Sequence, residues 1–148
     1  MEFGLLVPVL VVIFLGIVDF SVAYHNQLQL SSALASAADY AFTQGQTESG
    51  TTLTADVTNF VRTVSPIPLS AASATYNNGG SATSCYCVTG SPATYTQTAC
   101  GAACTDGSGS TAGKYISISA SFSFTPLFPL QTVVFGNSYS QSVTVRLQ

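Results

Sequence analysis

EFGLLVPVLVVIFLGIVDFSVAY, residues Glu2–Tyr24, decides how the rest of the chain is read. No residue from Phe3 to Val18 is charged, and nearly all are large and apolar. A run of about 20 such residues is what a helix needs to cross ~30 Å of hydrocarbon. A helix apolar on every side must find lipid or other helices as its surroundings. A secretory signal would carry basic residues before the apolar core and a cleavage site after it. Here only Met1 and Glu2 precede the core, and the polar side continues as helix through Tyr24–Leu30, although Ser21-Val-Ala23 superficially resembles a processing site. The segment is therefore expected to be retained.

Three positions interrupt the apolar pattern. Glu2 is either an interfacial carboxylate favoured at a helix N-terminus or a buried one requiring a cation from a neighbouring subunit. Pro8 removes one backbone donor and is expected to kink or loosen the helix locally. Asp19 either reaches the membrane interface or contacts a neighbour.

Beyond Tyr24 no Gly or Pro occurs from Leu28 to Gln44, so the helix is expected to run from about residue 3 to 44. Ala33, Ala37 and Ala41 repeat at i+4, as do Ser32 and Ser36, a spacing that lets backbones approach closely. That approach is either to other helices or to the protein's own head. Gly45 is the expected helix stop. Residues 1–45 are thus expected to form an N-terminal membrane helix, and residues 46–148 a separate β-rich head.

The head reads as a polar linker from Gln46 to Thr54, then a short helix capped by Thr54. Val57, Phe60, Val61 and Val64 form its apolar face, Asp56 and Arg62 complement its dipole, and Pro66 ends it. Asn77-Asn-Gly-Gly80 marks a turn, Ser81–Thr89 is compatible with a strand, and residues 108–113 form a loop. In Tyr115–Phe124, YISISASFSF, apolar and polar residues alternate without error, which specifies a half-buried antiparallel strand. Pro126 and Pro129 break it. Gln141–Leu147 alternates again and reads as the returning strand. The fold class is α+β: a long N-terminal helix and a small head holding one short helix and an antiparallel sheet, a pilin-like shape.

Only 6% of the 148 residues are charged, against ~25% in ordinary soluble domains. Ser, Thr, Gly, Asn and Gln supply the polar surface, which suits a subunit packed against copies of itself. Three basic residues and a net charge of −3 leave no cluster for nucleic acid or anionic lipid. Cys85, Cys87, Cys100 and Cys104 are even in number and tightly grouped, which favours disulfides in an oxidising compartment over a zinc site. Cys85 and Cys87 share one face of a strand, so their partners are expected at 100 and 104. A nested arrangement, Cys87–Cys100 inside Cys85–Cys104, would staple a hairpin, although three connectivities are open. No catalytic constellation or cofactor motif accompanies the single histidine, His25, so no enzyme and no cofactor are expected. No Asn-x-Ser/Thr sequon occurs, and the many hydroxyls leave O-glycosylation open.

Together these residues resemble the TadE-like family, pilin-related proteins of tight-adherence pilus systems. The resemblance rests on Glu2-Phe3, Val7-Pro8-Val9-Leu10, Gly16-Ile-Val-Asp-Phe20 and Ala23-Tyr24. At the other end it rests on Ile116–Phe124 running into Thr125-Pro-Leu-Phe-Pro-Leu130, and on Val143-Thr-Val-Arg146. It implies a structural subunit held in the inner membrane before assembly, then packed into a helical surface filament by the pilus machinery. Glu2, Phe3, Leu6, Pro8, Leu10, Phe14 and Asp19 are the residues expected at the subunit contact. A membrane-anchored accessory protein or minor pseudopilin that never polymerises is the alternative. Related pilins place the helix carboxylate fifth in the mature chain, after a peptidase cut following Gly, whereas here Glu2 is second. Family members often carry Arg before the Ala-Tyr pair, where this chain has Val22.

Overall fold

A computed structural model of the chain describes residues 3–48, 50–90, 93–105, 109–126 and 137–147. The first element, α1, spans Phe3–Gln44 as one uninterrupted helix, about 63 Å long at 1.5 Å per residue. It remains one helix through Pro8. The second helix, α2, spans Gly50–Val64. Strands β1 (Ala71–Tyr76), β2 (Cys85–Thr89), β3 (Thr94–Thr98), β4 (Tyr115–Ser123) and β5 (Ser138–Arg146) follow, with a short 3-10 turn at Asn77–Gly79.

The strands make two antiparallel sheets. In the larger, β4 lies between β1 and β5, with Ile116 opposite both Tyr76 and Val145. The smaller is the β2–β3 hairpin, with Cys85 opposite Thr98 and Cys87 opposite Thr96. The alternation in YISISASFSF sets which face of the larger sheet is covered. Ile116, Ile118, Ala120 and Phe122 are buried under the helices, while Ser119 and Ser121 face outward. Helix α2 lies against β1, and α1 lies against β4 and β5.

The core gathers Leu30, Leu34, Ala37 and Ala41 of α1 with Leu53, Val57 and Val61 of α2, the buried face of β4, and Leu147. Fully burying a Leu, Ile or Val stabilises by roughly 1.5–3 kcal/mol, and Leu30, Leu53, Val57, Val61, Ile116 and Ile118 are all buried completely. Ala33, Ala37 and Ala41 are buried as well, which resolves the i+4 alanine repeat. In this half of α1 the small residues admit the protein's own head, while Ser32 and Ser36 stay exposed.

The short helix departs from its sequence reading. It begins at Gly50, inside the expected linker, and Thr54 lies within it as the donor of a 2.9 Å hydrogen bond to the Thr51 carbonyl. The reason is Leu53, whose burial extends the seam to Leu53, Val57 and Val61 at i, i+4, i+8. Val64 is 40% exposed, and Phe60 instead stacks on Tyr40 of α1 with ring centroids 4.4 Å apart. The returning strand also starts earlier than Gln141, at Ser138, and Val143 and Val145 are partly buried against the core. Strands β1 and β3 add to the elements expected, and β2 begins only at Cys85, after a turn that occupies Ser81–Ser84.

Candidate assembly interface

Helix α1 carries two kinds of surface along its length. From Leu30 to Ala41 one face is sealed by the head, whereas the stretch before Tyr24 is largely uncovered. Leu6 is 56% exposed, Leu10 63% and Phe14 70%, and the band continues through Phe20, Tyr24 and Leu28. The helix is long and apolar enough to cross a membrane, and little of its most apolar stretch is covered by the rest of the chain. The small burial separates it from the core helix of a soluble domain. Soluble proteins seldom leave so large a contiguous apolar surface without a partner.

The residues expected at the subunit contact divide into three groups. Leu6, Pro8, Leu10 and Phe14 are exposed on α1 and available to lipid or a neighbour. Glu2 lies outside the described residues, and Phe3 opens α1. Asp19 stands apart from these: its side chain is 1% exposed and has an interaction within the chain itself. A carboxylate is retained in such a place only with compensating contacts, and in this protein the subunit itself provides them. Ala23, one turn further along, is buried too. On the exposed side, the His25 Nε2 and Gln29 Nε2 lie 2.8 Å apart one turn from each other. The amide donates, which makes the imidazole Nε2 the acceptor.

At the far end of the molecule the cysteines form two disulfides, Cys85–Cys100 and Cys87–Cys104, with Cα separations of 5.0 and 5.7 Å. They cross rather than nest, which selects one of the three connectivities that the spacing leaves open and keeps the partners of Cys85 and Cys87 at 100 and 104. The cause is a chain reversal after β3. Cys100 sits two residues past Thr98, the partner of Cys85, and then Gly101 takes a φ of +78°. The Ala102 amide donates to the Ala99 carbonyl, and the returning chain carries Cys104 to Cys87. Cys85, Cys87, Cys104 and Ala112 make a second small core apart from the main one, with Cys100 exposed at its edge.

This disulfide-bound cap is fastened to the sheet by Asn77, which is fully buried with a φ of +46°. Its Nδ2 donates to the Ser81 and Ser84 carbonyls at 2.9 and 2.7 Å, and its Oδ1 accepts from the Tyr115 amide at 3.0 Å. Tyr95 adds a hydroxyl contact of 2.6 Å to Ser117 on the outer face of β4. Asparagine is among the few non-glycine residues that tolerate this backbone region. The turn cluster was legible in sequence, but the clamping role of its first residue was not.

A long, membrane-capable helix carrying a small disulfide-bound α+β head is a pilin-like architecture. The family model for TadE-like proteins matches residues 1–39, so this segment of the chain is similar to TadE-like proteins. The Ile116–Leu130 and Val143–Arg146 resemblance lies outside the matched residues. Neither the curated proteins nor the solved structures compared with the chain gave a match.

Proposed function

We propose that this chain is a structural, pilin-like subunit of a tight-adherence pilus, packed through α1 into the core of an extracellular helical filament. The uncovered apolar band beginning at Leu6, on a helix whose other end is fixed under a folded head, carries this reading. In lipid these side chains gain little by meeting one another, so the subunit is stable in the membrane as a single chain. Outside lipid the same surface would face water, and burial at about 25 cal/mol per Å² would hold neighbours together. Extraction and packing must then be coupled by an assembly machine. Glu2 would meet a cation there, the N-terminal amine of the adjacent subunit being the one the pilin resemblance implies. The head, poor in charge and rich in hydroxyls, would face outward as an adhesive surface.

The same band would equally anchor an accessory protein that remains a membrane-bound monomer. Mass spectrometry of sheared, purified surface filaments separates the two. Under the subunit reading the chain is present in filaments, and Glu2→Ala lowers filament number without loss of membrane insertion, whereas Lys114→Ala does not. Absence of the chain from filaments at any stoichiometry removes the subunit reading, and normal filament number in Glu2→Ala removes the pairing role.

A further inference from the structure

Some hydroxyls on the outer face of the larger sheet satisfy one another, while others, such as Thr75, Ser140 and Ser142, stand on an open strand surface. Ser73 and Ser119 lie 2.9 Å apart, Ser70 and Ser121 3.1 Å, and Ser117 and Thr144 3.1 Å. In the disulfide-bound cap such open hydroxyls converge on a recess. Thr89, Thr96 and Thr98 share the β2–β3 face that carries Cys85 and Cys87. With Thr105 they surround a recess of about 250 Å³ whose wall includes the Cys87–Cys104 disulfide. None of these four hydroxyls has a hydrogen-bond partner among the described residues, and none of the described lining residues is charged.

From this arrangement we infer that the recess binds a single ring of a neutral saccharide. Each threonine hydroxyl offers one donor and two acceptor positions, which matches ligands that are themselves arrays of hydroxyls. The absence of a cationic side chain among the described lining residues disfavours phosphate, sulfate and carboxylate ligands, which require cationic or amide-rich sites. The disulfide and the threonine methyl groups supply a small apolar surface for the C–H face of the ring. The volume lies just below the ~300 Å³ at which pockets for larger small molecules begin, so one ring fits and an extended chain would leave the recess. Two crossed disulfides hold the walls in place before binding, which lowers the cost of ordering them. This inference does not depend on whether the chain polymerises.

The test uses the full chain in lipid nanodiscs free of sugar detergent, with threonine methyl NMR as the readout. Glucose, galactose and N-acetylglucosamine serve as neutral probes and inorganic phosphate as the charged one. The expected result is saturable shifts at Thr89, Thr96, Thr98 and Thr105 with at least one neutral sugar, at a Kd on the order of 1 mM. Thr96→Val and Thr98→Val keep the shape and β preference of the side chain. Each is expected to weaken binding about tenfold, the equivalent of one lost hydrogen bond, with the remaining spectrum unchanged. Thr75→Val on β1 should leave binding intact. Three results overturn the inference: no saturable shift with any of the three sugars, undiminished binding in the Thr96→Val/Thr98→Val double variant, or phosphate producing the same shifts. Filament assays are unaffected by either outcome, so failure here is distinguishable from failure of the subunit reading.

Discussion

Gly45 lies so close to Leu147 that a methyl group at position 45 would stand 2.6 Å from Leu147 Cδ2 and 2.8 Å from the Ala41 carbonyl oxygen. The end of α1 and the end of the chain meet here. The Gln46 side chain donates to the Leu147 carbonyl at 2.9 Å, and the Leu147 amide donates to the Lys114 carbonyl at 2.8 Å. The role of Gly45 is close approach as much as helix termination: Leu147 seals the bottom of the core at 3% exposure.

Gly45→Ala is therefore expected to destabilise the head by about 1–3 kcal/mol through overpacking. Leu147 can rotate away, but the Ala41 carbonyl is backbone and cannot. Leu147→Ala should consequently relieve only part of the loss in the double variant, as measured by thermal unfolding of the two single variants and the pair. Full recovery in the double variant would show that the Ala41 contact carries no weight.

Asn77 governs the attachment of the cap. Asn77→Asp keeps the acceptor for the Tyr115 amide but removes both donors, leaving a carboxylate facing the Ser81 and Ser84 carbonyls. Loss of buried hydrogen bonds of this kind costs roughly 1–3 kcal/mol per unsatisfied group. Hydrogen exchange should accelerate across residues 81–89 while the amides of β4 paired with β5 keep their protection. Uniform acceleration through both sheets would place the loss in the whole head instead.

Reduction should release the same region. A two-stranded hairpin is marginal by itself, and the loops closed by sequence separations of 15 and 17 residues each contribute about 3 kcal/mol when bonded. Under denaturing, non-reducing conditions no free thiol is expected, and peptide mapping should return Cys85–Cys100 and Cys87–Cys104. Mild reduction should then open residues 85–104 while far-UV helicity from α1 and α2 persists. Recovery of a Cys85–Cys104 peptide would refute the crossed arrangement.

How much of this was legible in sequence differs from element to element for physical reasons. α1 was readable from Phe3 to Gln44 because an unbroken apolar and then alanine-rich run has one solution. β4 was readable because alternation over ten residues fixes both type and face. The start of α2 was hidden because Leu53 is a single apolar residue among threonines, and its value depends on a core not visible locally. The crossed disulfides were hidden because they follow from a reversal at Gly101, a tertiary event that cysteine spacing does not encode. The burial of Asp19 within the single chain was hidden because it is likewise created by the folded chain. The threonine alternation Thr94, Thr96, Thr98 was present in the sequence, but only the β2–β3 register reveals the recess.

Burial raises the pKa of the Tyr76 phenol above its ordinary value of 10.0, because desolvation disfavours the phenolate. A folded-state pKa above the unfolded one means that the folded protein holds the proton more tightly. The associated stability is fully present below pH 10 and declines as pH rises through the folded-state value. Tyr76→Phe should remove this component of the alkaline decline, leaving the neutral-pH fold intact. Thermal unfolding at neutral and strongly alkaline pH checks it, and identical alkaline decline in the variant would exclude Tyr76 as a contributor.

The last prediction concerns which surface of α1 meets another subunit. Phe14 is 70% exposed and Leu30 is completely buried, although both are large apolar residues on the same helix. All four native cysteines are paired, so a cysteine introduced at either position is the sole free thiol of the chain. In a filament held together by the uncovered band, Phe14→Cys places its thiol among neighbouring helices, within reach of the thiols of other copies through a short bifunctional maleimide. Leu30→Cys leaves its thiol inside the head of its own subunit and therefore unreactive. Cross-linking of sheared filaments should yield dimers on a non-reducing gel from Phe14→Cys and monomers from Leu30→Cys. The same chains dispersed as single copies in nanodiscs should yield monomers in both cases. Dimers from Leu30→Cys would show that the head opens on assembly. Monomers from Phe14→Cys within filaments that contain the chain would place the subunit contact elsewhere and leave the band to lipid alone.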